Sequence, residues 1–173
     1  MSPEEANWVG QALSQYTVDQ LNPVLNLGSS TREYRTVVCP EIQRYIFAEL
    51  EKRRVGVMHT DLKAGEGIDI AGDIFEARVL EQIMARGIKA TLCNNMFEHV
   101  VDRDRLLNLI ARILPAGGLL FVSVPCRYPY HPDPIDTGFR PGLDELCEFL
   151  APHFRLERGE TVVFGNYFES LKK

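Results

Sequence analysis

Three short polar clusters follow apolar runs in this chain, and their residue types suit the binding of a ligand. The first is Asn26-Leu27-Gly28-Ser29-Ser30-Thr31. A glycine directly after an apolar run lets the backbone bend sharply and approach a ligand, and the hydroxyl residues add donors. The same string also reads as a plain strand-to-loop turn. The second is Asp61, whose two carboxylate oxygens can accept from both hydroxyls of a ribose diol. It equally suits a solvated loop. The third is Asn94-Asn95-Met96-Phe97-Glu98-His99, where the asparagines either satisfy polar groups of a ligand or cap exposed backbone.

The elements that must position these clusters are legible as hydrophobic patterns. Ala6, Val9, Ala12, Leu13 and Tyr16 recur at helical spacing within residues 1–20. Asn22-Pro23 stops that helix, and Val24 to Leu27 reads as a short buried strand ending at Gly28. A polar loop over Ser29 to Val38 precedes a helix opened by Pro40 and running to Arg54. A second strand covers Val55 to Met58 and ends near Asp61, and a third lies around Ile68 to Ala71. Phe75 to Ala85 is helical, Lys89 to Cys93 is a fourth strand, and Asp102 caps a helix with a Leu/Ile face. Leu119 to Val124 is a fifth strand, apolar at five of six positions, as expected for one covered on both sides.

Strands alternating with helices predict a doubly wound α/β fold with a mostly parallel sheet, its ligands at the carboxyl ends of the strands. The rhythm changes after Pro125. Residues 126–142 carry Pro129, Pro132, Pro134 and Pro141, too long a connection to be routine. A helix over Leu143 to Leu150 follows. Apolar alternation in Phe154 to Arg158 and Thr161 to Phe168 then predicts a closing antiparallel pair. The length of 173 residues fits a single domain spanning 1–173.

Composition narrows the function. A formal charge of −5 argues against a general nucleic-acid binder, so no nucleic-acid partner is expected. The one basic run, Lys52-Arg53-Arg54, sits at a helix end, where it complements the helix dipole. No stretch approaches the roughly 18 apolar residues of a spanning helix, and Met1 to Gly10 has no secretory character. Cys39, Cys93, Cys126 and Cys147 lack metal-site spacing. They read as reduced thiols in a cytoplasmic protein with no bound metal.

Taken in order along successive strands, these clusters resemble the class I S-adenosylmethionine-dependent methyltransferase family, in particular its small bacterial type-11-like members. The resemblance runs from about Val24 to Leu150. It is carried most specifically by 93–100 (Cys-Asn-Asn-Met-Phe-Glu-His-Val), by 114–125, from Leu114-Pro115-Ala116-Gly117-Gly118 to Pro125, and by 131–141. It implies a Rossmann-like fold and S-adenosylmethionine as cofactor. Gly28 with Asn26, Ser29 and Ser30 would wrap the methionine end. Asp61 would take the ribose hydroxyls, with Leu62 against the adenine. Asp73 would meet the adenine amino group beside Ile74, and Asn94 and Asn95 would line the sulfonium.

The resemblance further implies methyl transfer to a small-molecule or glycan-like acceptor. That chemistry needs alignment and, for an oxygen acceptor, a base. His99 and His131 are the candidate catalytic residues, with Asp133 or Asp136 as helper. The 126–142 loop covers the acceptor side, where Tyr128, Tyr130 and Phe139 either shape a pocket or pin the loop to the core. Three positions depart from the family pattern: Asn26 where an acid is usual, and Ser30 and Arg32 where glycines are usual. They raise the alternative of a non-catalytic domain with a degenerate cofactor loop, acting through protein contacts. A nicotinamide-dependent oxidoreductase is the weaker alternative, because residues 28–33 lack G-x-G-x-x-G. The C-terminus is short for the family, leaving a covering strand or helix absent or supplied by a partner such as a second copy in a homo-oligomer.

Overall fold

The computed structural model describes residues 1–130 and 135–163. Helix α1, Pro3–Ser14, starts with a reciprocal cap: the Glu5 N–H donates to Ser2 Oγ (3.1 Å) and the Ser2 N–H to Glu5 Oε2 (3.2 Å). A short helix α2, Val18–Leu21, leads into β1, Val24–Leu27. Pro40–Ile42, Gln43–Phe47 and Ala48–Lys52 run on without a break and form α3, residues 40–52, with a wide π turn in its middle. Strands β2 (Val57–Asp61) and β3 (Ile70–Ala71) precede α4 (Ala77–Met84). Then come β4 (Ala90–Asn94), α5 (Arg103–Ile113), β5 (Leu119–Ser123) and α6 (Leu143–Leu150). In α5 the Asp102 side chain accepts from the Arg105 N–H at 3.1 Å, as the sequence predicts.

The five strands form one sheet in the order β3-β2-β1-β4-β5, and every pairing is parallel. This is the α/β, Rossmann-like arrangement expected. Side chains alternate across the strands into two cores. Leu25, Leu27, Met58 and Cys93 pack with α4, α5 and α6, while Val24, Ala90, Leu92 and Phe121 pack with α1, α2 and α3. The strand order reverses between β1 and β4, which opens a crevice at the carboxyl edge.

Four expectations are corrected. The polar stretch after β1 is not loop throughout, because a π turn, Tyr34–Val38, occupies its second half, begun by the Tyr34 N–H donating to Thr31 Oγ1 (3.2 Å). The short helix α2 lies where only the end of the first helix was foreseen, because Thr17 caps it with Gln20. Strand β5 is half-buried apart from Phe121, because it lies at the edge of the described sheet and not in its middle. Residues 154–163 hold no strand. They run instead toward α1, where Trp8 Nε1 donates to Glu160 Oε2 (2.8 Å) and the Arg158 guanidinium lies over the Trp8 ring. Residues 164–168, the rest of the foreseen antiparallel pair, lie outside the described residues. Among the described residues no helix is long and apolar enough to cross a membrane.

Helix α1 packs tightly enough on α3 that Gly10 has no room for a side chain: a Cβ there falls 2.1 Å from the Tyr45 carbonyl oxygen. Helix propensity alone favours Gly10→Ala by about 1 kcal/mol, but the backbone contact reverses the sign, because overpacking costs about 1–3 kcal/mol. Urea unfolding of Gly10→Ala is therefore expected to show a destabilised protein. A stabilised one contradicts this packing.

Candidate functional site

The turn after β1 is built on two left-handed residues, Gly28 at φ 70° and Ser30 at φ 54°. A Cβ at Gly28 would also stand 3.2 Å from Met96 Sδ, so the Met96 side chain would have to give by a few tenths of an ångström. Ser30 adopts a conformation that glycine takes without strain, which explains why glycine suits this position. The Ser29 N–H donates to the Thr60 carbonyl (2.9 Å) and the Ser30 N–H to Asp61 Oδ2 (2.7 Å). The cradle of β1 and the acid of β2 are therefore one hydrogen-bonded unit.

Arg35 holds this unit from behind. Its side chain is buried, and its guanidinium donates to the carbonyls of Ser29 (3.1 Å), Ser30 and Gly67 (2.8 Å). Those carbonyls offset the desolvation of the charge. Arg32 turns outward. Its N–H donates to the Glu66 carbonyl (2.8 Å), and its exposed side chain faces Glu66, with Nε 3.8 Å from the carboxylate.

Asp61 also accepts from the Lys63 N–H at Oδ1 (3.3 Å), and the neighbouring Leu62 is 65% exposed, an uncovered apolar surface at the rim. Asp61 pairs in register with Ala71 of β3, and Asp73 follows two residues later. Asp73 Oδ1 accepts from the Phe75 N–H (2.9 Å), while Ile74 is buried in the core shared with α4 and α5.

Asn26 points to the other face of the sheet, where its Nδ2 lies 3.0 Å from His59 Nδ1. An amide donor requires that ring nitrogen to accept, so the imidazole is neutral. Burial, and secondarily the Arg35 charge, lower the His59 pKa to about 4, in agreement with that pairing. Asn26 is thus buried under the cradle and supports it through His59.

At the end of β4, Asn94 and Asn95 meet Ser123 of β5. Ser123 Oγ lies 3.1 Å from Asn94 Oδ1, and the Asn95 N–H donates to the Ser123 carbonyl (2.9 Å). Glu5 of α1 joins them: its Oε1 accepts from Asn95 Nδ2 (2.6 Å) and from Ser123 Oγ (2.5 Å). Tyr34 lies within electrostatic reach. Burial, then a hydrogen bond with Cys39, then nearby charge that includes Glu5 push its phenol up to about 12.

His99 closes the short turn Phe97–His99 beyond β4, and its Nδ1 lies 2.5 Å from the Ile135 carbonyl oxygen. The loop is tied down on that side. Thr137 bonds the Glu98 carbonyl through N–H and Oγ1 (both 2.9 Å), and Arg140 pairs with Asp136 (2.6 Å). Phe139 packs edge-on against Phe149 under the Arg103 guanidinium, so this aromatic pins the loop, whereas Tyr130 is exposed. His131 and Asp133 lie outside the described residues.

The structure therefore joins Gly28, Ser29, Ser30 and Asp61 directly and sets Asp73, Asn94 and Asn95 on the same edge. His99 stands one turn away, against the loop. Glu5, Arg35, His59 and Ser123 were not foreseen. Only Glu5 had a local signal, the Ser2-x-x-Glu5 pattern of a capping box. A groove of about 620 Å³ between α4 and α5 is lined by none of these strand-end groups. The site is marked by its polar groups, not by volume. Among the described residues no cluster of His, Cys, Asp and Glu could hold a metal ion. Neither the family models nor the curated proteins yield a match to this chain.

Two outcomes follow from this geometry. Ser30→Gly relieves the left-handed strain and is expected to raise unfolding stability by roughly 0.5–1 kcal/mol, the strain released less the added chain entropy. A loss of stability in urea melts contradicts the strained turn. For His59, the folded pKa of about 4 lies below the ordinary value of 6.5. Its contribution is complete above pH 6.5 and is lost as pH falls toward 4, because the unfolded chain takes the proton first. His59→Gln is therefore expected to flatten the fall of the urea midpoint between pH 7 and pH 5. An unchanged slope removes His59 as a cause.

Proposed function

We propose that this chain is a class I methyltransferase that moves a methyl group from S-adenosylmethionine to a small-molecule or glycan-like acceptor. The observation that carries this reading is the cradle at the switch point. A left-handed Gly28–Ser30 turn is hydrogen-bonded to a carboxylate on the next strand, beside an uncovered Leu62. These residues fit the cofactor. Asp61 accepts one backbone N–H on each oxygen, which leaves about two of a carboxylate's roughly four acceptor positions for a ribose diol. The exposed Leu62 offers an apolar face for a base, and Asp73 retains acceptor capacity for an amino group. The outward course of Arg32 supports the catalytic reading over a degenerate, non-catalytic loop.

The bound cofactor supplies a methyl group on a positively charged sulfur, already a good electrophile. The protein has to orient the acceptor and manage a proton. His99, held by the Ile135 carbonyl at Nδ1 and with Nε2 3.8 Å from the buried Glu98 carboxylate, is the candidate group to take a proton from a hydroxyl acceptor. The 135–140 segment, fixed by Arg103, Thr137 and the Asp136–Arg140 pair, walls the same side.

Calorimetry with the wild-type chain is expected to show S-adenosylmethionine binding at roughly micromolar to a hundred micromolar, about −8 to −5.5 kcal/mol. Asp61→Ala is expected to weaken it by about 1–3 kcal/mol, the range for hydrogen bonds to a charged group. No heat and no thermal shift with folded wild-type protein at millimolar cofactor overturns the reading in favour of a non-catalytic domain.

A further inference from the structure

The first turn of α1 reaches across the fold to the strand ends. A capping box needs one oxygen of Glu5, and Oε2 serves it at 3.2 Å from the Ser2 nitrogen. Oε1 faces the other way and takes hydrogen bonds from two residues 90 and 118 positions distant, Asn95 and Ser123. Asn95 follows β4 and Ser123 ends β5, so a carboxylate from the start of the chain stands on the β4 side of the switch-point crevice. Its partners there are neutral. The Tyr34 phenol, raised to about 12, also keeps its proton near neutral pH. Among the described residues Glu5 forms no ion pair with a lysine or arginine. A negative charge held this way favours a cationic group in the crevice.

We propose that Glu5 is a specificity-determining residue that favours the sulfonium form of the cofactor over the neutral thioether left after transfer. The proposal rests on the methyltransferase reading above. The physical basis is a change of charge. In the transfer the acceptor's lone pair forms the new bond to carbon, the sulfur–carbon pair stays on sulfur, and any proton on the acceptor atom passes to a base or to water. The sulfur goes from positive to neutral, so its attraction to Glu5 disappears. Product is then held less tightly than substrate, and the spent cofactor is released in favour of the fresh one.

The test is calorimetry on the full chain with S-adenosylmethionine and S-adenosylhomocysteine, in wild type and Glu5→Gln. The substitution is expected to lower the preference for the sulfonium on the order of ten-fold, while S-adenosylhomocysteine affinity stays within about two-fold. A purely structural tether would weaken both ligands equally, and an unchanged ratio overturns the proposal while leaving the methyltransferase reading intact. Wild-type protein that binds neither ligand defeats that reading itself. The wild type measured at low and high salt supplies a check that needs no variant. Its sulfonium affinity is expected to fall more steeply than its thioether affinity, and parallel curves overturn the proposal.

Discussion

Every strand of the described sheet runs in the same direction, and most of what this molecule can do is a consequence of that. Parallel strands must be joined by crossovers, which here are helices on both faces. The strand interiors are therefore enclosed and nearly apolar, and polar residues collect where strands leave the sheet. Because all strands leave on the same edge, Gly28, Asp61, Asp73, Asn94 and Ser123 are brought to that edge from positions far apart in the chain. The reversal of order between β1 and β4 then leaves a crevice that no crossover fills.

Within that frame, the turn after β1 keeps a glycine-like shape with fewer glycines. Ser30 occupies the left-handed region, Arg35 clamps three carbonyls from the buried side, and Asp61 takes the Ser30 N–H from the exposed side. Asn26 also has a matched partner. An amide can donate to the His59 ring, and the two remain neutral together in a buried place where charges would need compensation. Asn26, Ser30 and Arg32 each have a local partner.

Helix α1 does two jobs with one residue. Glu5 completes its own helix cap and ties the helix to β4 and β5, so the N-terminal segment forms part of the site's wall. The 135–140 segment lies against the turn beyond β4, anchored by aromatic packing of Phe139 and by the Asp136–Arg140 pair. The strand ends carry polar groups from all five strands of the described sheet.

How far the chain can be read without its fold follows from the range of each interaction. Element order, the cap at Asp102, the five strands and the placing of Gly28, Asp61 and Asn94-Asn95 at strand ends were all legible, because periodicity and capping act over a few residues. The edge position of β5, the π turn at Tyr34–Val38 and the course of residues 154–163 were not, because an apolar run looks the same in the middle of a sheet and at its rim. The roles of Arg35, His59 and Glu5 were equally hidden. Arg35 meets Gly67 across 32 positions and Glu5 meets Ser123 across 118. Such contacts exist only once strand order and register are set. The sequence by itself determined which residues stand at the strand ends; the tertiary structure decided which of them share hydrogen bonds and that Glu5 reaches them, since burial and electrostatics depend on neighbours that local pattern does not specify.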